Sequence, residues 1–408
     1  MEWLAKNAEL IGILFMPVTY GFIGWLTNVM ALKMMFYPLN FVGLKPPYLG
    51  WQGIVPRKST GLALKVVNIL SEKLIKIDDF FAKIPTDKLA DSYKPLLKEN
   101  IPNMMHRVLE AVPAELKAKV SANESKIVAK ALAESEQRLD QITGHLREDV
   151  GKVFSFKNMV LRNLTGENTH LLVDLFQEIG KKEFKFIGAS GWYFGTLFGL
   201  AQMLIWWLYP GAWTLPVQGI IVGYVTNWLA LIMIFRPMVE TRYLYFFKYQ
   251  GLFHRRQVEV SDKFSTMFAE HVLNGKNILD EVLYRRISRT VVETMNEDIV
   301  QELKADGADA GAIAAFEKAS DGSRKEVAAE LANRLSEASE TMEKLINRSM
   351  NVKQTIYNRM KDLPGEDFES LLRSAFQEDE WILIILGAVL GAIVGLGQMF
   401  YMLAFAAG

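Results

Sequence analysis

Gly24-Trp25-Leu26-Thr27-Asn28-Val29-Met30-Ala31 decides how this chain is read, because it recurs as Gly223-Tyr224-Val225-Thr226-Asn227-Trp228-Leu229-Ala230. The recurrence extends outward on both sides. Pro17 answers to Pro216, Met34 to Met233, Phe36 to Phe235 and Pro38 to Pro237, all at a spacing of 199 residues. Each copy lies in an apolar run, Leu10–Phe36 and Leu215–Phe235, long enough to cross a bilayer as a helix of about 20 residues. Pro17 allows a kink in the first run.

Two further apolar runs, Phe186–Leu208 and Glu380–Phe405, are also expected to span. They match each other at a spacing of 196, where Gly195, Gly199 and Gln202 answer to Gly391, Gly395 and Gln398. The approach to each run also matches, as Phe176-Gln177-Glu178 and Phe376-Gln377-Glu378, at a spacing of 200. Glycines four apart form a face on which another helix can come close. Trp206, Trp207 and Trp213 read as an interfacial belt around the link 209–215.

Between the spans the pattern changes. Residues 37–58 and 236–256 are rich in aromatics and, in the first case, Pro and Gly, and suit the headgroup layer rather than a continuous helix. They include Pro38, Pro46, Pro47, Tyr48 and Trp51, and later Tyr243, Tyr245, Phe246 and Tyr249. Each closes on a Gln-Gly-x-x-x-basic-basic turn: Gln52 to Arg57-Lys58, and Gln250 to Arg255-Arg256. Amphipathic helical sequence follows over 59–185 and 257–379. Breaks are expected near Pro85, Pro102 and Pro113, followed by a charged stretch from Glu115 to Val150. A loop or hairpin tip is expected over 305–323 on account of Gly307, Gly311 and Gly322. Leu331, Leu335, Ala338, Met342 and Leu345 have the spacing of a helix-packing seam.

The expected fold is therefore all-α: an integral membrane protein with four transmembrane helices in two parallel tandem repeats, each with a long helical extramembrane insertion. Repeat one is 1–208, with spans 10–36 and 186–208; repeat two is 209–408, with spans 215–235 and 380–405. Two spans separate equivalent positions, which gives both repeats one orientation. The Lys and Arg residues beside the insertions outnumber those on the other side, where Lys6 stands with the amino terminus and Glu2. That bias puts the helical domains in the cytoplasm, with a periplasmic placement left open. No cleavage site follows the first apolar run, which is expected to be retained.

Lysine plus arginine balance aspartate plus glutamate at 46 each, so no net field recruits nucleic acid. Cysteine is absent, which removes disulfides, thiolate metal sites and thiol nucleophiles together. The five histidines are scattered without ligand spacing, and no phosphate loop or nucleophile elbow is present. Neither Thr-Asn run carries a carboxylate for proton relay. No enzyme, metal or cofactor is expected.

The polar groups in the spans remain. Gly24, Asn28 and Ala31 share one helix face, as do Gly223, Asn227 and Ala230. An amide in hydrocarbon needs a partner, so Thr27-Asn28 and Thr226-Asn227 form either a packing clasp or the polar lining of a path. Gln202 and Gln398 are expected as their partners. Arg57, Lys58, Arg255 and Arg256, with Gln52 and Gln250, are either headgroup ligands or simple topology anchors.

The doubled Gly-aromatic-x-Thr-Asn-x-x-Ala pattern, the Gln-Gly turn and the closing run from Gly387 to Gln398 together resemble the bacterial domain-of-unknown-function family 445. The resemblance spans nearly the whole chain. It departs at Phe253-His254, which stand where the first turn has Val55-Pro56. It implies a multi-pass bacterial inner-membrane protein without an assigned reaction and supplies no catalytic residues. Three functions stay open: binding or moving a lipid or other amphiphile, an oligomeric channel or solute transporter, and a helical scaffold for a protein partner. Membrane lipids and further copies of the chain are the expected partners.

Overall fold

The computed structural model describes residues 8–46, 48–110, 112, 117, 120–243, 247–305, 307–373 and 380–406. Glu2, Lys6, Pro47, Pro113, Glu115, Tyr245, Phe246 and Phe376-Gln377-Glu378 lie outside the described residues. Among the described residues the chain is helical apart from two small hairpins and the connecting turns, and it divides into two compact units. One comprises 1–74, 161–267 and 356–408; the other comprises 75–160 and 268–355.

The first unit is built on four long helices: α1 (Ala8–Phe36), α2 (Lys181–Leu208), α3 (Thr214–Phe235) and α4 (Glu380–Ala406). Of these, α1, α3 and α4 are long and apolar enough to cross a membrane, over Leu10–Phe36, Thr214–Phe235 and Glu380–Ala404. That is three such helices where four were expected. The reason lies in the composition of α2, which opens on Lys181, Lys182, Glu183 and Lys185. It is then diluted by four glycines, Ser190, Thr196 and Gln202. Pro17 lies inside α1 and does not end it.

Glycines determine how these helices meet. A Cβ on Gly24 would fall 2.2 Å from the Gly191 carbonyl oxygen, one on Gly195 2.2 Å from that of Tyr20, and one on Gly199 2.5 Å from the Cα of Pro17. The partners descend along α2 as they rise along α1, so the two helices are antiparallel with backbones in contact. α3 and α4 meet in the same manner, Gly223 against Gly387, Gly219 against Gly391 and Leu215 against Gly395. In hydrocarbon no hydrophobic gain drives such pairing; close van der Waals contact and interhelical hydrogen bonds do. The two pairs join through a core of Met16, Tyr20, Ile23, Trp206, Leu215 and Val222, where the Tyr20 hydroxyl donates to the Leu215 carbonyl at 3.1 Å. Trp206 thus belongs to the core, while Trp207 and Trp213 are exposed. Leu14, Val18, Tyr193, Leu197, Ile220, Ile385 and Val389 also point outward, leaving the outside of the bundle apolar.

After α1 the chain passes the cis bond Tyr37–Pro38 and forms an antiparallel hairpin of β1 (Val42–Lys45) and β2 (Leu49–Trp51). After α3 it passes the cis bond Arg236–Pro237 and forms β3 (Thr241–Tyr243) and β4 (Phe247–Tyr249). Gln52 braces the first hairpin by donating to the Leu39 carbonyl at 2.8 Å, and Gln250 braces the second through Met238 at 2.9 Å. Leu44 and Tyr48 project from the first hairpin almost fully exposed.

The second unit is a helical bundle in which Glu124–Glu148 packs on Thr86–Glu110 and on Arg285–Ala305. The Tyr93 and Tyr284 hydroxyls meet at 3.0 Å inside it, and burial drives both up, Tyr93 to about 12. Two expectations fail here. The helix Thr86–Glu110 runs through Pro95 and Pro102 without breaking. Both prolines lie on its exposed side, where water can satisfy the carbonyls they release. The expected loop over 305–323 shrinks to the few residues before Ala310, because Asp309 caps the helix Ala310–Glu337 by accepting from the Ala312 N–H. Ala310, Ala312, Ala314 and Ala315 then outweigh Gly311 and Gly322, each of which costs about 1 kcal/mol.

Candidate functional site

Within the first unit, Thr27, Asn28, Thr226 and Asn227 are buried, as the face shared with Gly24 and Gly223 requires. Asn28 donates its Nδ2 to the Ile187 carbonyl on α2 at 2.7 Å, and Asn227 donates to the Leu383 carbonyl on α4 at 3.0 Å. The two amides therefore do not bond each other. Each reaches the carbonyl of the helix whose glycine allows the approach. Thr226 links the pairs, its Oγ1 lying 2.7 Å from the Val222 carbonyl and 3.4 Å from Asn28 Oδ1. Asn28 and Asn227 border one cavity of about 20 Å³, room for about one water molecule. Both amide nitrogens and both threonine hydroxyls in this cluster have protein partners, and the space among them is closed down.

The glutamines act elsewhere. Gln202 donates to the Thr214 hydroxyl at 2.9 Å, at the start of α3, and Gln398 Oε1 has no hydrogen-bond partner among the described residues. Neither bonds a Thr-Asn pair. Ala31 and Ala230 are buried beside the amides, which completes the small-residue face.

The basic turns differ from one another. Arg57 and Arg255 are exposed. Lys58 is half-buried and already engaged within the protein. Arg256 is half-buried and pairs with the buried carboxylate of Glu183 and with Glu259. Hydrogen bonds from Arg256 and Lys182 hold Glu259 well below the usual carboxylate range, at about 2. Arg256 thus serves to tie the start of α2 to the helix Gln257–His271. A second ionic cluster ties the start of α4: Arg373 grips Glu380 through two bonds of 2.7 and 2.9 Å and Glu369 through one of 2.8 Å.

A feature the residues alone did not announce lies between α1 and α2. A groove of about 560 Å³ opens there, with Trp25, Val29 and Gly188 along its apolar part and Lys33, Lys181 and Lys185 around it. Its floor exists because Gly188 has no side chain; a Cβ there would meet Val29 Cγ2 at 3.3 Å. Lys181, Lys185 and Gly188 share a helix face, which is the signal the sequence does hold.

No family model matches the chain. One curated relative, the UPF0754 membrane protein lmo2224 of Listeria monocytogenes, is 25% identical over 184 residues, 44% of this chain. The alignment spans about half of that relative, 47% of its length. This similarity is consistent with the membrane-family resemblance carried by the motifs, and with the three apolar helices it supports a membrane location.

Proposed function

We propose that this chain is a non-enzymatic, multi-pass inner-membrane protein that binds a lipid or other amphiphile beside α1 and α2, at the level of the interface. Four helices cross in this reading, α2 included. Its glycine face is covered by α1, and Tyr193, Leu197 and Leu204 form an apolar outer face despite the polar residues within. The two halves are one module written twice, since contacts spaced 199 residues apart on one helix meet partners spaced 196 apart on the other. The exposed hairpin residues Leu44 and Tyr48 suit the headgroup layer, and the basic residues Arg57 and Arg255 suit the cytoplasmic side.

The observation that carries the reading is the groove: apolar along its length, open to the side, and ringed by polar groups at one end. Native mass spectrometry of the full chain taken from lipid nanodiscs tests it. Wild type is expected to keep bound phospholipid that the groove-filling variant Gly188→Leu loses. Equal retention by both would end the reading.

The channel alternative draws less support, because the polar cluster encloses only about 20 Å³ and its groups bond within the protein. Liposomes bearing the protein are accordingly expected to show no solute flux. The scaffold alternative draws less support from its seam: Leu331, Leu335 and Met342 are buried inside the second unit, Leu345 is half-buried and Ala338 exposed, and the helix ends at Glu337.

A further inference from the structure

We infer that the groove between α1 and α2 selects an acidic phospholipid, with one site per chain; this rests on the amphiphile reading above. None of the residues that line the groove is acidic, whereas Lys33, Lys181 and Lys185 are all basic. Lys181 lies 3.2 Å from Glu178, but that carboxylate is shared with Lys263 at 2.8 Å. Lys33 and Lys185 are exposed, and their charges face the groove without an opposing carboxylate in its wall. A zwitterionic headgroup would bring its own cation against this cluster, while a net-negative one would not. Charge complementarity thus names the occupant, and each lysine at a membrane surface adds to the preference.

Depth fits the same occupant. Lys33 is near the end of α1, and Lys181 and Lys185 open α2, so all three stand at headgroup level in a span reading. Trp25 lies about two turns further in than Lys33, and Gly188 about two turns past Lys181 and just under one past Lys185, where an acyl chain would run. The indole Nε1 of Trp25 sits 4.0 Å from where a Gly188 Cβ would be, within the groove, and can donate to an ester carbonyl between headgroup and chain.

The second half is not built for this. When the two halves are aligned at the spacings of 199 and 196, Lys33 meets Ile232, Lys185 meets Trp381 and Gly188 meets Ile384. Two cations are lost and the glycine floor is filled. At the same end, Arg373 is committed to Glu380 and Glu369. The module was written twice, but only the first writing keeps the groove.

The test uses the full chain in nanodiscs of mixed phosphatidylcholine and phosphatidylglycerol, with retained lipid identified by native mass spectrometry. Wild type is expected to retain one phosphatidylglycerol per chain at about tenfold preference over phosphatidylcholine. The triple variant Lys33→Gln, Lys181→Gln, Lys185→Gln is expected to lose the preference while still retaining lipid, and arginine at the same three positions to keep it. Equal retention of both lipids by wild type would overturn the acidic selectivity and leave the broader amphiphile reading standing. Retention of neither would remove both. Undiminished preference in the glutamine triple would also overturn the assignment, and if that triple does not fold, the wild-type ratio decides alone.

Discussion

The side-chain amide of Asn28 donates to the backbone carbonyl oxygen of Ile187 at 2.7 Å, and the amide of Asn227 does the same to Leu383 at 3.0 Å. Bonds of this kind in a membrane bundle are worth roughly 1 kcal/mol, since the separated helices also find partners. Asn28→Ala or Asn227→Ala is therefore expected to lower stability by about 1 kcal/mol, and the double variant by about 2. Thermal unfolding in detergent micelles measures this. A double variant as stable as wild type would mean that the amides hold nothing together.

Backbone contact predicts a larger effect at the glycines. A Cβ at Gly24 would overlap the Gly191 carbonyl at 2.2 Å, which no rotamer can relieve. Gly24→Val is expected to cost about 3 kcal/mol through forced separation of α1 and α2. Gly397, also in a long apolar helix, has nothing within 4 Å, so Gly397→Val serves as the matched control and should be close to neutral. Equal melting of the two variants would refute the proposed contact.

The ion-paired start of α2 gives a pH dependence with a definite sign. Glu259 is held at about 2 in the folded chain against an ordinary value of 4.5. A carboxylate depressed by folding stabilises the fold above its unfolded pKa and loses that contribution as pH falls through the folded one. Its share is thus fully present above about 4.5, falls as pH drops toward 2 and is gone below that. The carboxylate is 38% exposed, so screening reduces the share to about 1 kcal/mol. Glu259→Gln should destabilise by that amount at pH 7 and by only a small remnant of it at pH 2, as denaturant titrations at the two pH values would reveal.

In the second unit, Gly322 sits inside the helix Ala310–Glu337 with nothing within 4 Å. Gly322→Ala should stabilise that helix by about 0.5–1 kcal/mol, since alanine gives up less backbone freedom on folding. Slower amide exchange across residues 310–337 is the expected readout.

Much of the helix packing in the first unit was legible because an apolar run restricts the choices open to a polar side chain within it. An apolar run bearing Asn28 beside Gly24 needs a close helix and a bond across it, and both are present. Which atom accepts the bond was not legible. Isolated strands of sequence do not show whether Asn227 or a carbonyl is nearer, and the glycine contacts decide for the carbonyl. The glutamines misled for a related reason: Gln202 shares α2 with the Ile187 carbonyl that Asn28 meets but faces Thr214 at the other end. Pro102 and Gly322 misled through local rules, which give the penalty of a residue but not the exposure or neighbouring alanines that offset it. The groove left only the shared face of Lys181, Lys185 and Gly188 in the sequence, which does not by itself show an opening. Gly188 looks like one more packing glycine until Val29 and Trp25 are seen across the opening it leaves.

The contact between Asn28 and Ile187 bridges 159 residues, and this has a consequence for synthesis. A ribosome adding 5–20 residues per second needs roughly 8–30 s to travel from one to the other. Throughout that interval α1 is already made, with a bare glycine face and an unanswered amide, and its companion does not yet exist. The nascent chain must wait in the insertion machinery or against lipid until α2 emerges, so α1 needs shielding for longer than any helix whose companion follows it at once.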